Sequence, residues 1–134
     1  MKKEARAPKI TYRGWAGHFC CARMCQFRLN TLIEYKKKKI VVSTVGLLML
    51  DDRTKKYDTI GCERYFETMA FEAKKEVIED VIFWDADVSK QVNFDSPWCW
   101  SKVTDEMNAQ NGHEKVVEEI CDKLISRTLQ SNEL

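Results

Sequence analysis

The chain has 134 residues, 44% of them hydrophobic, 14 aromatic side chains and a net charge of +1. That composition is of a folded globular protein, long enough for one core that buries roughly two thirds of the unfolded surface, so a second domain is not expected. No apolar run approaches the ~20 residues of a membrane-spanning helix, and the opening MKKEARAPKI lacks the apolar stretch of a secretory signal, so the expectation is a cytoplasmic protein with reduced thiols.

The small net charge conceals an imbalance. Residues 1–40 carry eleven Lys and Arg against two acids, a surplus of nine positive charges; residues 41–134 carry eleven against nineteen, a surplus of eight negative ones. Such segregation favours a surface of one sign that steers a charged partner, unless folding interleaves the two halves. Residues 1–9 are polar and end in Pro8-Lys9, so they read as a flexible basic arm, with residues 10–130 as a single domain.

In chain order, TYRGWAGHF over residues 11–19 mixes aromatic residues with two glycines, which suits a strand with a tight bend or bulge and puts His18 near a strand end. In FRLNTLIEY, Phe27, Leu29, Thr31, Ile33 and Tyr35 alternate with Arg28, Asn30 and Glu34, and Leu32 alone breaks the period-2 pattern. Lysines 36–39 form a charged hairpin tip, and IVVSTVGLLML has the β-branched content and length of a buried central strand. After the polar DDRTKKYD, RYFETMAFEAK returns to alternation, with Tyr65, Glu67, Met69 and Phe71 facing one way and Phe66, Thr68 and Ala70 the other. VIFWDADVSKQVNF supplies one or two further short extended pieces, closed by turn chemistry at Asp95-Ser96-Pro97.

Val116, Val117, Ile120, Cys121, Leu124 and Ile125 then form one apolar helical stripe. Asn111 is expected to cap this helix, with Glu114 placed three residues on to favour its N-terminus, and His113, as a helix-start residue, is expected in solvent. Together these elements predict an α+β fold: an antiparallel sheet of about four to six strands, covered on one face by a C-terminal amphipathic helix.

Chemistry concentrates in the first half, where His18, Cys20, Cys21 and Cys25 lie within eight residues and Cys62 follows the hairpin. Thiolates and an imidazole suit zinc, which takes four such donors tetrahedrally. The expected ligands are His18, Cys21, Cys25 and Cys62, with Cys20 the rival of Cys21. If residues 18–21 stay extended, His18 and Cys20 share a face; a turn after Phe19 brings Cys21 round instead, and a helical turn over Ala22-Arg23-Met24 makes Cys21 and Cys25 i,i+4 partners. Four protein donors close the shell, so the zinc is expected to be structural. Cys99 and Cys121 read as small buried hydrophobes.

Other patterns point elsewhere. A three-ligand site with an open position would be that of a hydrolase, with Asp58, Glu63 or Glu67 as general base. Asp85 and Asp87, two apart on a strand, have the spacing of paired carboxylates that hold a divalent cation, with Lys90 and Asp95 nearby to complete a nuclease. Arg13, Trp15, Arg23, Arg28 and lysines 36–39, interleaved with Tyr12, Phe19, Phe27 and Tyr35, have the composition of a nucleic-acid surface. Trp98 and Trp100 either anchor a protein partner or pack over the sheet edge.

YRGWAGHF, the cysteine pair before FRLNTLIEY, VVSTVG, IGCERYFETMAF, DADVSKQVNFDSPW and the GHE helix start together resemble a family of small proteins carried by phages and other bacterial mobile elements, over about residues 12–125. The family's motifs imply no agreed chemistry. One group of anti-CRISPR proteins against type II systems is similar in being a compact zinc-binding protein that acts on Cas9. The resemblance implies a non-enzymatic inhibitor or adaptor that binds a nucleic-acid-processing host protein, with His18, Cys21, Cys25 and Cys62 holding zinc as a staple. The alternatives are a zinc or divalent-metal hydrolase or nuclease, and a module that binds nucleic acid directly.

Overall fold

The computed structural model describes residues 7–19, 22–61 and 63–133. A first strand, β1 (Lys9–Arg13), lies on the edge of a meander made of β2 (Cys25–Tyr35), β3 (Lys38–Leu48), β4 (Phe66–Ile78) and β5 (Val81–Val92), all antiparallel. The two-residue β6 (Cys99–Trp100) pairs with the start of β4, and β7 (Ser131–Glu133) pairs with the end of β5. One helix, α1 (Glu106–Ser126), packs on β2, β3 and β4, which is the α+β arrangement expected.

Alternation decides which residues meet the helix. Phe27, Leu29, Thr31 and Ile33 point to the α1 side, with Ile40, Val42 and Ala70 from the neighbouring strands, and they close a core with Val92 of β5 and Val116, Val117, Ile120, Cys121 and Leu124 of α1. Burying that many aliphatic side chains, at roughly 1.5–3 kcal/mol each, is the largest favourable contribution in the molecule. Leu32 no longer counts as an exception, because the other face is covered too: it packs with Val41, Phe71 and Ala86. The lysine hairpin turns on Lys36 and Lys37, with Lys36 at φ +56°, and Lys38 and Lys39 already belong to β3.

Several expectations are corrected. Residues 14–19 form no strand; β1 ends at Arg13, and the chain leaves the sheet as a strap. Residues 81–92 form one long strand rather than short pieces, bent by an irregularity opposite Phe71 and Ala73. The helix starts five residues before Asn111, with Asp105 at its N-cap, because Ala109, Gly112 and His113 extend the buried stripe back by two turns. Gly112 admits the Trp100 ring so closely that a Cβ would stand 2.2 Å from it. Trp100 thus packs on the helix, whereas Trp98 is exposed beneath the Arg64 guanidinium. Cys121 is buried as expected, but Cys99 is exposed.

His113 is not in solvent: it is 1% exposed and lies between α1 and the sheet. Its Nε2 bonds Thr31 Oγ1 at 2.8 Å and its Nδ1 bonds Thr44 Oγ1 at 2.6 Å, while Thr44 in turn bonds Thr68 Oγ1. Burial lowers its pKa to about 4, and no carboxylate is bonded to the ring to favour the charged form. The neutral ring, one nitrogen donating and one accepting, satisfies this hydroxyl chain without an orphan group.

Candidate functional site

The face away from α1 is closed by the strap of residues 14–19. Its anchor begins in β1, where Arg13 Nε donates to Asn30 Oδ1 at 2.9 Å and Arg13 Nη1 donates to the Trp84 carbonyl of β5. A residue of the first strand thereby reaches the fifth, so the sheet curls strongly across this face. Trp15 follows, edge-on to Phe83 and under the Arg13 guanidinium, with its indole N–H directed at Asp85 Oδ1. Gly17 lies against β3, where a Cβ would meet the Ser43 side chain at 2.8 Å; lacking one, it brings its N–H to 3.0 Å from Ser43 Oγ.

The strap delivers His18 to the middle of the sheet. The ring is buried and tilted over Phe71, with Nδ1 2.8 Å from Ser43 Oγ and Nε2 3.1 Å from Glu67 Oε2. Glu67 accepts a second bond from Arg64 Nε at 2.8 Å. These contacts fit one direction throughout. The Gly17 N–H donates to Ser43, the Ser43 hydroxyl donates to His18 Nδ1, and the His18 Nε2–H donates to Glu67. Burial pushes the Glu67 carboxyl up, but the bonds from His18 and Arg64 outweigh it and hold the group below the usual range. A cleft lined by Arg64, Glu67, Met69, Gln91, Phe94 and Trp98 adjoins this network. Hydrogen-bonded order of this kind resembles a catalytic relay, yet Ser43 is fully buried on a central strand and offers no surface to a substrate.

Of the four expected zinc ligands, the structure describes two. His18 has its ring nitrogens engaged as above, and Cys25 is buried in a separate apolar cluster with Val45, Leu48 and Ile60, packed by Ala16, Phe19 and Met24. Cys20, Cys21 and Cys62 lie outside the described residues, and among the described residues no group of three metal-binding side chains converges. The surroundings still bear on the clip. Phe19, at φ +80°, and Ile60 meet in the Cys25 cluster. Cys25 is the described thiol of that cluster. His18 could serve a metal only by releasing Ser43 from Nδ1, in which case Glu67 on Nε2 would orient the ring as carboxylates do for ligating histidines.

The other candidates separate. Of the proposed bases, Glu67 is buried in the network, while Asp58 and Glu63 are exposed. Asp85 Oδ1 takes the Ala86 N–H and the Trp15 indole, whereas Asp87 Oδ1 takes both the N–H and the hydroxyl of Ser89, which hold that carboxyl below its ordinary range. Asp95 pairs with Lys123 on α1 rather than with Lys90. Of the basic and aromatic run, Phe27 is core and Tyr35 half-buried, whereas Tyr12 and Trp15 are exposed. Lys36, Lys37 and Lys38 remain exposed at the hairpin tip.

His18 and Glu67 were each visible as reactive types, but their partnership was not, since it joins residues 49 apart through a segment without regular structure. Arg64 and Ser43 carried no signal beyond their place in alternating strands. No helix among the described residues is long and apolar enough to cross a membrane. Comparison of the chain with protein-family models, curated proteins and solved structures finds no match.

Proposed function

We propose that this chain is a non-enzymatic binding protein, an inhibitor or adaptor that engages a nucleic-acid-processing host protein, with Cas9 the first partner to test. One observation carries this reading: the two histidines and Glu67, the buried groups best suited to acid–base work, are engaged within the fold. His18 and His113 each use both ring nitrogens on neighbouring side chains, Glu67 uses both oxygens, and Asp85 and Asp87 bond locally. An acid–base catalyst has to present its group within reach of a substrate. The cations at the β2–β3 tip, by contrast, are exposed and suited to steering a charged partner.

Zinc enters this reading as a staple. Bound by Cys21, Cys25 and Cys62 with His18, or by the thiols with a fourth donor from elsewhere, it would tie the strap to the entry of β4. Metal analysis of wild type and Cys25→Ser, each with a thermal melt, is the test. Expected are bound zinc and a raised Tm in the wild type alone; a metal-free wild type removes the staple. For the function itself, the chain is titrated against its partner's activity. Expected is inhibition that saturates near one copy per partner and persists in Asp85→Asn and Asp87→Asn; action at substoichiometric amounts would mean turnover and sink the proposal.

A further inference from the structure

The turn of the β2–β3 hairpin stands next to the C-terminal end of α1, and the two enclose a cleft of about 480 Å³. Its apolar wall is made of Tyr35, Leu124 and Leu129, all of which contribute to the core beneath. Every charged group that lines it is a cation: Lys36, Lys37, Lys38, Lys123 and Arg127. Lys123 is neutralised by Glu119 at 2.8 Å and Asp95 at 3.6 Å. The other four have no carboxylate partner among the described residues; Lys36 lies over the Tyr35 ring at 5.4 Å.

Helix electrostatics account for part of this charge and not the rest. Cations near a helix C-terminus answer the negative end of the dipole, which explains Lys123 and Arg127. The last carbonyls are also met by the backbone N–H groups of Arg127 and Thr128. Three consecutive lysines from a different element, held against the same opening, are surplus to that requirement. Repulsion among them is relieved by a bound anion. Two of the three apolar wall residues are leucines and the third, Tyr35, is half-buried with Lys36 over its ring, so the wall favours an aliphatic side chain over a stacked base.

We infer that this cleft is the docking site for an acidic peptide segment of the partner, with one apolar side chain seated on Tyr35, Leu124 and Leu129 and flanking carboxylates on Lys36, Lys37, Lys38 and Arg127. The inference rests on the protein-binding reading above and names the surface that does the binding. Affinity comes from the buried anchor, register and on-rate from the charges.

The test uses the full chain and three fluorescent probes of equal length: a twelve-residue Asp/Glu peptide with a central Leu, the same peptide with Ser in its place, and oligothymidine. The Leu peptide should bind at least about tenfold tighter than the Ser peptide, the factor expected for one buried aliphatic side chain. Its binding should weaken about tenfold in the Lys37→Glu/Lys38→Glu double variant, and fall steeply with salt. Leu129→Asp should abolish the Leu preference; because Leu129 touches the core, its melt is recorded alongside, and the exposed lysine variant stands as the check that needs no core change. Equal affinity for the two peptides means unspecific charge attraction and overturns the anchor; tighter binding of oligothymidine overturns it in favour of nucleic acid. Partner inhibition undiminished in the lysine variant overturns the cleft as the docking site while leaving the non-enzymatic reading standing, whereas catalytic turnover with peptide binding intact overturns that reading alone.

Discussion

On the α1 side of the sheet, four strands and a helix close an apolar core around one buried histidine; on the other side, six residues without regular structure hold a second histidine by a chain of side-chain hydrogen bonds. Both histidines are buried, but they differ in company. His113 meets only hydroxyls and is held neutral by burial, whereas His18 is bonded to a carboxylate that Arg64 also binds. Closure by packed aliphatic side chains is difficult to open locally; closure through a hydrogen-bonded strap depends on a few directional bonds and is the more readily loosened. The molecule therefore has a rigid side and a side whose cover is adjustable.

The comparison can be broken first where it predicts the most. Ile120→Ala, which empties a fully buried site on the helix side, should cost about 3–4 kcal/mol in urea unfolding, in the range of large-to-small core changes. A loss under about 1 kcal/mol, small for such a cavity, would mean that α1 is not the main seal. Next comes acid. His113 titrates near 4 in the fold and near 6.5 when unfolded, so between those values the unfolded chain holds the extra proton and stability rises with pH. Its contribution is complete above about pH 6.5 and is lost as pH falls towards 4, by up to about 3 kcal/mol. Glu67, whose carboxyl is held low, adds a loss that begins as pH falls through the ordinary carboxylate range and continues below it. Denaturant melts of wild type and His113→Gln between pH 7 and 4 separate the two, since the variant should lack the His113 share of the loss, which is the part above the ordinary carboxylate range.

A smaller effect belongs to the strap. Glu67→Gln keeps the shape but removes the charge shared by His18 and Arg64, and should cost about 1–3 kcal/mol. Smallest is Trp15→Ala, expected to lower global stability by about 1 kcal/mol. Its main result should be faster amide exchange in residues 14–19 with the α1 core unchanged. Equal acceleration on both sides would show that strap and helix open as one unit, and the contrast between the faces would fail.

Much of this architecture could be read from the residues, for identifiable reasons. The alternation of Phe27, Leu29, Thr31, Ile33 and Tyr35 assigned a face to each, and the register with β3 follows from it. The helix core was legible where its stripe is aliphatic. Its first two turns were not, since Ala109, Gly112 and His113 keep the helical spacing but are small or polar, suited to Trp100 and the threonines rather than to hydropathy. The strap was invisible as such: what fixes it are bonds from Arg13, Gly17 and His18 to strands 25 to 71 positions away, which no local pattern encodes. At the candidate site the residue types were apparent, but the pairing of His18 with Glu67 rather than with a neighbouring thiol depends on where the curled sheet places them.

The Arg13 guanidinium on the Trp84 carbonyl has a consequence for colloidal behaviour. Over residues 81–89 the outer edge of β5 has no strand partner among the described residues, and aliphatic side chains at Val81, Ile82 and Val88 stand exposed along it. Such an edge is a template for another chain. A charged side chain already seated on one of its acceptors denies that position to an incoming strand, so the first strand serves the fifth as a gatekeeper. Its removal would register less in a melting curve than in slow, concentration-dependent association of otherwise folded molecules.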